Sequence, residues 1–157
     1  MSATIVVAHD HDICRQGLRL LLEGQEDFRV IAEVSMGSEA VQLVQALQPN
    51  VLVVDLMMPD LSGLEVTRQV RRLAPATYVV MLSMYSDEAH VVEALRSGVF
   101  GYVLTESSTA SFFEAVREAN TGGVYLCPPL LDRPIETYLS QVQKALMDPY
   151  ETLSTSS

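Results

Sequence analysis

The feature that most constrains the fold is a run of four apolar residues that leads into a carboxylate and a turn. Val51 to Val54 are followed directly by Asp55, and Pro59 and Gly63 then supply turn signals. A continuous apolar run bounded in this way is typical of a strand buried on both faces. Asp55 is thereby predicted at the carboxyl end of that strand, the edge where ligand sites collect in open α/β sheets. Because Asp is also common in turns, this residue alone leaves structural and functional roles equally open.

Strand and helix patterns alternate five times along the chain. Apolar runs predict strands at Thr4–Ala8, Phe28–Val34, Val51–Asp55, Tyr78–Ser83 and Gly101–Leu104. Apolar residues at helical spacing, such as Ile13, Leu18, Leu21 and Leu22 in the first case, predict helices at Asp12–Gly24, from Ser38 to before Pro49, and at Leu64–Leu73, Asp87–Ser97 and Thr109–Asn120. This alternation predicts an α/β fold, a flavodoxin-like (βα)5 doubly wound parallel sheet with strand order 2-1-3-4-5.

That strand order makes the first and third strands neighbours. Asp10, which follows the first strand, is therefore expected beside Asp55. Ser83 and Thr105 end the fourth and fifth strands and should flank the same crevice.

The pattern changes after Gly123. Pro128 and Pro129 favour an extended segment from Val124, because each proline keeps the preceding residue out of helix. An extra C-terminal helix is predicted at Pro134–Met147, with one apolar stripe formed by Ile135, Leu139, Val142 and Leu146. We therefore divide the chain into a domain at 1–123 and a linker with an extra helix at 124–157. The stripe needs a surface to cover, either on the domain or on a second copy, which makes a homodimer one hypothesis.

Composition argues against several classes of protein. The net charge is -10, from 10 basic and 20 acidic residues, so this chain is not expected to grip nucleic acid by itself. Cys14 and Cys127 show no disulfide or metal spacing. No signal-peptide pattern or apolar run of membrane-spanning length is present, which predicts a cytoplasmic protein with reduced thiols and no membrane contact.

The polar residues at the predicted sheet edge suit phosphoryl chemistry. The carboxylates of Asp10 and Asp55 are hard oxygen ligands of the kind that Mg²⁺ prefers. An Asp in this position can act as a nucleophile and take a phosphoryl group as an acyl phosphate. The hydroxyl of Ser83 could then hydrogen-bond the new phosphoryl oxygen, which would make a switch rather than a catalyst with turnover.

Several motifs, in order, resemble those of response-regulator receiver domains. The stretch 55–63 (DLMMPDLSG) resembles their phospho-acceptor strand and turn. The stretch 8–18 (AHDHDICRQGL) resembles the opening of the LuxR/NarL-type subfamily, and 98–104 and 122–126 resemble its fifth strand and exit segment. The resemblance covers about Ile5 to Leu126.

The resemblance implies a role for each matching residue. Asp55 would be phosphorylated by a sensor histidine kinase, and Asp10, Asp55 and the Met57 backbone carbonyl would hold Mg²⁺. Ser83 would be the switch hydroxyl, and Tyr102 the aromatic that turns inward with it. The family's surface of helix four, strand five and helix five is the usual dimer or output contact.

The resemblance also implies transcription regulation. A helix-turn-helix domain that binds DNA follows the receiver in this subfamily, and 148–155 (DPYETLST) resembles the linker just before it. DNA contact is therefore expected only through a C-terminal domain absent from this chain.

Three positions depart from the family pattern. His9 replaces the first of two paired acids, and either hydrogen-bonds at the crevice edge, which we favour, or ligates a transition metal. Thr105 replaces a lysine that pairs with the phosphoryl group, and the only lysine is Lys144 in the tail. Met84 replaces a small residue and could narrow access to Asp55.

Two versions of the receiver hypothesis follow from these departures. In one, Asp55 is still phosphorylated over a weakened Mg²⁺ site, and the matching residues slightly favour this version. In the other, the domain is an atypical receiver whose state is set by dimerisation or another ligand.

An enzyme that uses Asp55 as a catalytic nucleophile is a less favoured alternative. Phosphatases of the haloacid-dehalogenase type carry a second Asp two residues after the nucleophile, where this chain has Met57. No Gly-rich phosphate loop follows the first strand. The chain is therefore not expected to be an enzyme.

Overall fold

The computed structural model describes residues 2–128 and 130, and in them all five predicted strand–helix pairs are present. The elements in chain order are β1 (Ala3–Ala8), α1 (Asp12–Glu23), β2 (Phe28–Val34), α2 (Gly37–Leu47), β3 (Val51–Asp55), α3 (Gly63–Leu73), β4 (Tyr78–Ser83), α4 (Glu88–Ser97), β5 (Gly101–Leu104), α5 (Thr109–Asn120) and β6 (Tyr125–Leu126). The extra helix predicted at 134–147, with its apolar stripe, lies outside the described residues.

The strands form one parallel sheet in the order β2-β1-β3-β4-β5-β6. The predicted α/β class and the order 2-1-3-4-5 are confirmed. The sheet also gains β6, which pairs with β5 at Gly101 and Tyr102. The sequence predicted only an extended segment there, because two residues are too few to show a strand period.

Side chains that alternate along the strands pack into two separate cores. Ile5 and Val7 of β1 face the core that α1 and α5 cover. Val6 and Ala8, the residues between and after them, face the core under α2, α3 and α4. Because successive strand residues point to opposite faces, one apolar strand fills both cores. The sheet is therefore covered on both sides, as a doubly wound fold requires.

The apolar residues of α1 do not all enter the core. Leu22 is fully buried, whereas Ile13 is 87% exposed and Leu21 is 41% exposed. The helical spacing of the apolar residues correctly predicted α1. The packing of α1 and α5 on this face of the sheet nevertheless leaves part of the apolar surface of α1 exposed.

Within the described ranges, no helix is both long enough and apolar enough to cross a lipid bilayer.

Candidate functional site

The strand register brings Asp10 and Asp55 to the same point on the carboxyl edge of the sheet. Ala8 of β1 lies beside Val54 of β3, and Asp55 is the next residue of β3. Asp10 follows two residues after Ala8, on the exposed rim. The juxtaposition predicted from the strand order is therefore present.

The carboxylate of Asp55 is held by contacts on two sides. Its Oδ2 accepts a hydrogen bond of 3.1 Å from the backbone N–H of Met57. Its Oδ1 lies 4.0 Å from Nε2 of His9, and the Asp55 side chain is only 14% exposed. The orientation of the Asp55 carboxylate is thus fixed, while part of the carboxylate stays open to solvent.

The His9 ring has a defined orientation. Its Nδ1 accepts a hydrogen bond of 3.1 Å from the backbone N–H of His11, so the neutral ring is assigned its proton on Nε2, toward Asp55. Burial lowers the pKa of His9, against the opposing attraction of the Asp55 carboxylate. A ring with Nε2–H toward Asp55 offers no lone pair there, which supports a hydrogen-bonding role for His9 over metal ligation.

The donors that remain suit Mg²⁺ rather than a transition metal. Asp10, Asp55 and the Met57 carbonyl are all oxygen ligands, and Mg²⁺ is commonly bound through one or two carboxylates while it keeps several waters. Over residues 2–128 and 130, no three His, Cys, Asp or Glu side chains are gathered as a ready metal cluster. The residues fit a partly hydrated Mg²⁺ ion.

Gly63 lets the chain return closely against Asp55. Its N–H donates a hydrogen bond of 2.8 Å to the carbonyl of Leu56. A Cβ at this position would lie 2.6 Å from the backbone oxygen of Asp55 and 2.9 Å from Cα of Leu56. Sequence analysis interpreted Gly63 as a turn signal. The structure shows that glycine is needed here because the backbone passes so close to Asp55 and Leu56 that there is no room for a Cβ.

Asp60 fixes the loop after Asp55 to the start of α2. Its carboxylate accepts hydrogen bonds from the backbone N–H groups of Gly37, at 2.6 Å, and Ser38, at 2.9 Å. These groups need an outside partner because Met36, the N-cap of α2, provides no side-chain bond. Hydrogen bonding, first of all to the Ser38 side chain, holds the pKa of Asp60 well below its usual range.

Sequence reasoning gave Asp60 no role, although it lies in the stretch singled out at the start. Its partners are 22 and 23 residues away along the chain, so no local pattern pointed to them.

Tyr85 links Ser83 to Tyr102. The Oγ of Ser83, which is 1% exposed, accepts a hydrogen bond of 3.0 Å from the Tyr85 N–H. The hydroxyl of the fully buried Tyr102 donates one of 2.6 Å to the Tyr85 carbonyl. Burial raises the pKa of Tyr102 to about 12, so the phenol stays protonated and remains a donor.

Sequence reasoning missed Tyr85 and gave His90 no function. The Tyr85 ring stacks on the His90 ring at 4.1 Å between centroids. Nδ1 of His90 is 2.7 Å from Oδ1 of Asp87, the N-cap of α4. The loop between β4 and α4 is therefore joined to the first turn of α4.

Thr105 cannot supply what a lysine would supply at this edge. Its N–H bonds to the Ser83 carbonyl at 2.9 Å, so it continues β5 beside β4. Because β4 lies between β3 and β5, Thr105 and Asp55 are about two strand spacings apart, roughly 10 Å. A four-carbon lysine stem could cross much of that gap, whereas the threonine hydroxyl sits on Cβ. Among the residues described, the neutral His9 ring is the only basic side chain within 4.0 Å of Asp55.

Met84 lies on the rim with its side chain largely in water. It is 69% exposed, and Met57, which follows Asp55 by two residues, is 62% exposed. Two exposed apolar side chains therefore border the opening of the site.

Comparisons with known proteins agree with this geometry. The family model described as "Response regulator receiver domain" matches residues 5–117. The transcriptional regulatory protein DegU of Brevibacillus brevis is 34% identical over 134 residues, covering 85% of this chain. The oxygen regulatory protein NreC of Staphylococcus carnosus is 34% identical over 154 residues, which is 96% of this chain and 71% of NreC. A crystal structure of a LuxR-family two-component response regulator from Aurantimonas superposes with a TM-score of 0.82 at 29% identity, and covers 88% of this chain and 99% of that one.

The chain is shorter than the two regulatory proteins DegU and NreC. It spans 57% of DegU and 71% of NreC, so the match concerns a part of each relative.

Proposed function

The chain belongs to the response regulator receiver domain family, and from this premise we propose that Asp55 accepts a phosphoryl group from a sensor histidine kinase. The resemblance to the LuxR/NarL-type subfamily is confirmed by relatives of that kind. These relatives are transcriptional regulators, in agreement with the expectation that the chain is a signalling domain and not an enzyme.

The observation that carries the proposal is the fixed carboxylate of Asp55. One oxygen accepts a hydrogen bond from the Met57 N–H, and the side chain keeps 14% of its surface exposed at the sheet edge that it shares with Asp10. A carboxylate oriented in this way can attack an incoming phosphorus without first losing rotational freedom.

In the proposed reaction, an Asp55 oxygen attacks the phosphorus of a phosphohistidine on the kinase. The new O–P bond makes an acyl phosphate, the P–N bond breaks, and its electron pair stays with the departing imidazole. Asp10, Asp55 and the Met57 carbonyl would hold Mg²⁺, which supplies positive charge to the transferring oxygens. The Met57 N–H and the His9 Nε2–H, which lie beside the Asp55 carboxylate, would be the protein donors closest to the transferring phosphoryl group.

Ser83 and Tyr102 are the proposed response elements. A phosphoryl oxygen on Asp55 would accept a hydrogen bond from the Ser83 O–H, and turning Ser83 toward it would weaken the hydrogen bond that its Oγ accepts from the Tyr85 N–H. Because the Tyr85 carbonyl holds the Tyr102 hydroxyl, a shift of Tyr85 would reach the buried ring of Tyr102. The proposed output surface is formed by α4, β5 and α5.

A second version of the function needs no phosphorylation. The observation that favours it is the missing cation at Thr105, which leaves the phosphoryl group without its usual charged partner. In this version the state of the domain is set by dimerisation or by another ligand.

The DNA-binding output and the homodimer are also proposals. We propose that DNA is bound through a helix-turn-helix domain C-terminal to the predicted linker, as the resemblance to the LuxR/NarL-type subfamily implies, and the regulatory names of the relatives support this. Light scattering on the chain with and without the residues after Gly123 tests the dimer, and an unchanged monomer mass in both would exclude it.

The test of Asp55 is the intact mass of the folded chain after incubation with Mg²⁺ and acetyl phosphate. The proposal predicts a gain of one phosphoryl group that is lost in Asp55→Asn. No gain in a folded protein would reject phosphorylation in favour of the second version. Continuous release of phosphate from small phosphoesters would instead revive an Asp-nucleophile enzyme.

A further inference from the structure

We propose that Arg15 is a positioning residue for the Mg²⁺ site, because it holds the stretch of backbone that carries Asp10. Its Nη1 donates a hydrogen bond of 3.0 Å to the carbonyl of His9, the residue directly before Asp10. The inference rests on the proposed function, since the Mg²⁺ ion belongs to the proposed phosphoryl transfer. It adds a residue of α1 to the strand-end residues on which that transfer depends.

The two peptide groups that flank Asp10 are each held by one side-chain hydrogen bond. The peptide group before Asp10 is held through the His9 carbonyl, which accepts the bond from Arg15. The peptide group after Asp10 is held through the His11 N–H, which donates a bond of 3.1 Å to Nδ1 of His9. Because a residue has only two soft backbone dihedral angles, fixing both peptide planes fixes the direction of the Cα–Cβ bond of Asp10.

Arg15 is itself held in place by two carboxylates. Its Nη2 lies 2.6 Å from Oδ1 of Asp12, and its Nε lies 3.2 Å from Oε1 of Glu33 in β2. The Arg15 side chain is only 12% exposed, so it is packed against the protein along its length. The arginine therefore ties the loop that carries Asp10 to both α1 and β2.

These contacts require arginine rather than any positive charge. A different nitrogen of Arg15 serves each of the three acceptors, which are Asp12, Glu33 and the His9 carbonyl. A guanidinium group presents its donors in a fixed planar fork, whereas lysine presents a single nitrogen on a flexible stem. Arg15→Lys therefore keeps the charge beside the acidic site and removes the geometry that holds the peptide group before Asp10.

Arg19 provides a matched control on the same helix. It lies one turn after Arg15, and its Nε is 3.2 Å from Oε2 of Glu33 and 3.4 Å from Oε1 of Glu23. The two arginines thus share Glu33, but among the described residues the ion-pair partners of Arg19 are these glutamates. Arg19→Lys disturbs the shared pair with Glu33 and leaves the bond from Arg15 to His9 in place.

The test is a titration of the ¹⁵N-labelled full chain with MgCl₂, without a phosphoryl donor, followed by the amide signals. The dissociation constant for Mg²⁺ should rise about tenfold in Arg15→Lys, because residues that orient metal ligands typically contribute at least this factor to metal affinity. Arg19→Lys should bind Mg²⁺ like the natural chain. Since both variants keep their charge, a difference between them reports geometry and not electrostatics.

Amide hydrogen exchange without Mg²⁺ gives a second readout that needs no metal. In Arg15→Lys the N–H of His11 should exchange faster than in the natural chain, because the loop that carries it is less constrained. The N–H of Val53 in the buried strand β3 should keep its protection, which shows that the fold is intact.

Four results would overturn the proposal. They are equal Mg²⁺ dissociation constants in the two variants, unchanged exchange at His11, lost protection at Val53 in Arg15→Lys, which would make Arg15 a general stabiliser, and no Mg²⁺ binding by the natural chain. A natural chain that binds Mg²⁺ but gains no phosphoryl group from acetyl phosphate would reject the proposed function and not this inference.

Discussion

The two halves of the carboxyl edge of the sheet are built differently. Around β1 and β3, Asp55 is fixed by the Met57 N–H, faced by His9, and backed by the close return of Gly63. Around β4 and β5, the connection from Ser83 through Tyr85 to Tyr102 is complete, but Thr105 provides no charge. The difference teaches that the group proposed to accept phosphate and the groups proposed to respond to it are held by independent contacts. A charged side chain at position 105, which would link these two sets of groups electrostatically, is missing.

The largest expected effect is on the stability of the first half. Gly63→Ala places a Cβ against the Asp55 backbone, and overpacking of this kind costs about 1–3 kcal/mol of unfolding free energy. Gly17→Ala in α1 meets open space and should add about 0.5–1 kcal/mol instead, because alanine is the better helix former. Urea unfolding measures both. Equal effects at the two glycines would contradict the close approach at Gly63.

The next effect tests the missing charge in the second half. Thr105→Lys should raise the rate of phosphoryl uptake from acetyl phosphate about tenfold, because a charge interaction of about 1.4 kcal/mol with the transferring group lowers the barrier by that amount. Thr105→Met has similar length and no charge, so it separates electrostatics from bulk. If the two variants raise the rate equally, charge at position 105 is not what limits the site.

The smallest expected effect is on the stability of the loop after β3, which Asp60 fixes to the start of α2. Asp60→Asn should cost about 1 kcal/mol of unfolding free energy at neutral pH, because the N–H groups of Gly37 and Ser38 lose a charged acceptor. Since the folded-state pKa of Asp60 lies below 3.8, the contribution is complete above that pH and declines as the pH falls below it. The difference between Asp60→Asn and the natural chain should therefore shrink in urea unfolding at pH 3.

Glu26→Gln is the control for this experiment, since it removes one exposed carboxylate elsewhere on the surface. A difference between Asp60→Asn and the natural chain that is the same at pH 7 and pH 3 would show that the Asp60 charge does not hold the loop.

The parts of the fold that were predicted correctly depend on local, periodic information. The five strands are short and mostly apolar, and the helix ends agree to within about a residue because caps and glycines mark several of them. Asp10, Asp55 and Ser83 could be placed at one edge, since parallel strands in a doubly wound sheet end on the same side. β6 was not predicted as a strand, because its two residues acquire that identity only by pairing with β5.

The roles that were missed depend on contacts that residue types alone do not reveal. Asp60 bonds to residues more than 20 positions earlier. Tyr85 links Ser83 to Tyr102 through its backbone N–H and carbonyl, which residues other than tyrosine would also provide. The direction of His9 is set by the N–H of His11, a contact that residue types alone do not reveal.

The sequence by itself determined the doubly wound fold and which carboxylates meet at the edge, because apolar periodicity and strand order are enough to specify them. The family was recognised separately, from the resemblance of the motifs at 8–18 and 55–63. Only the tertiary structure decided how the Asp55 carboxylate is oriented and what Gly63, Asp60 and Arg15 do. These depend on distances between segments that no pattern of neighbouring residues encodes.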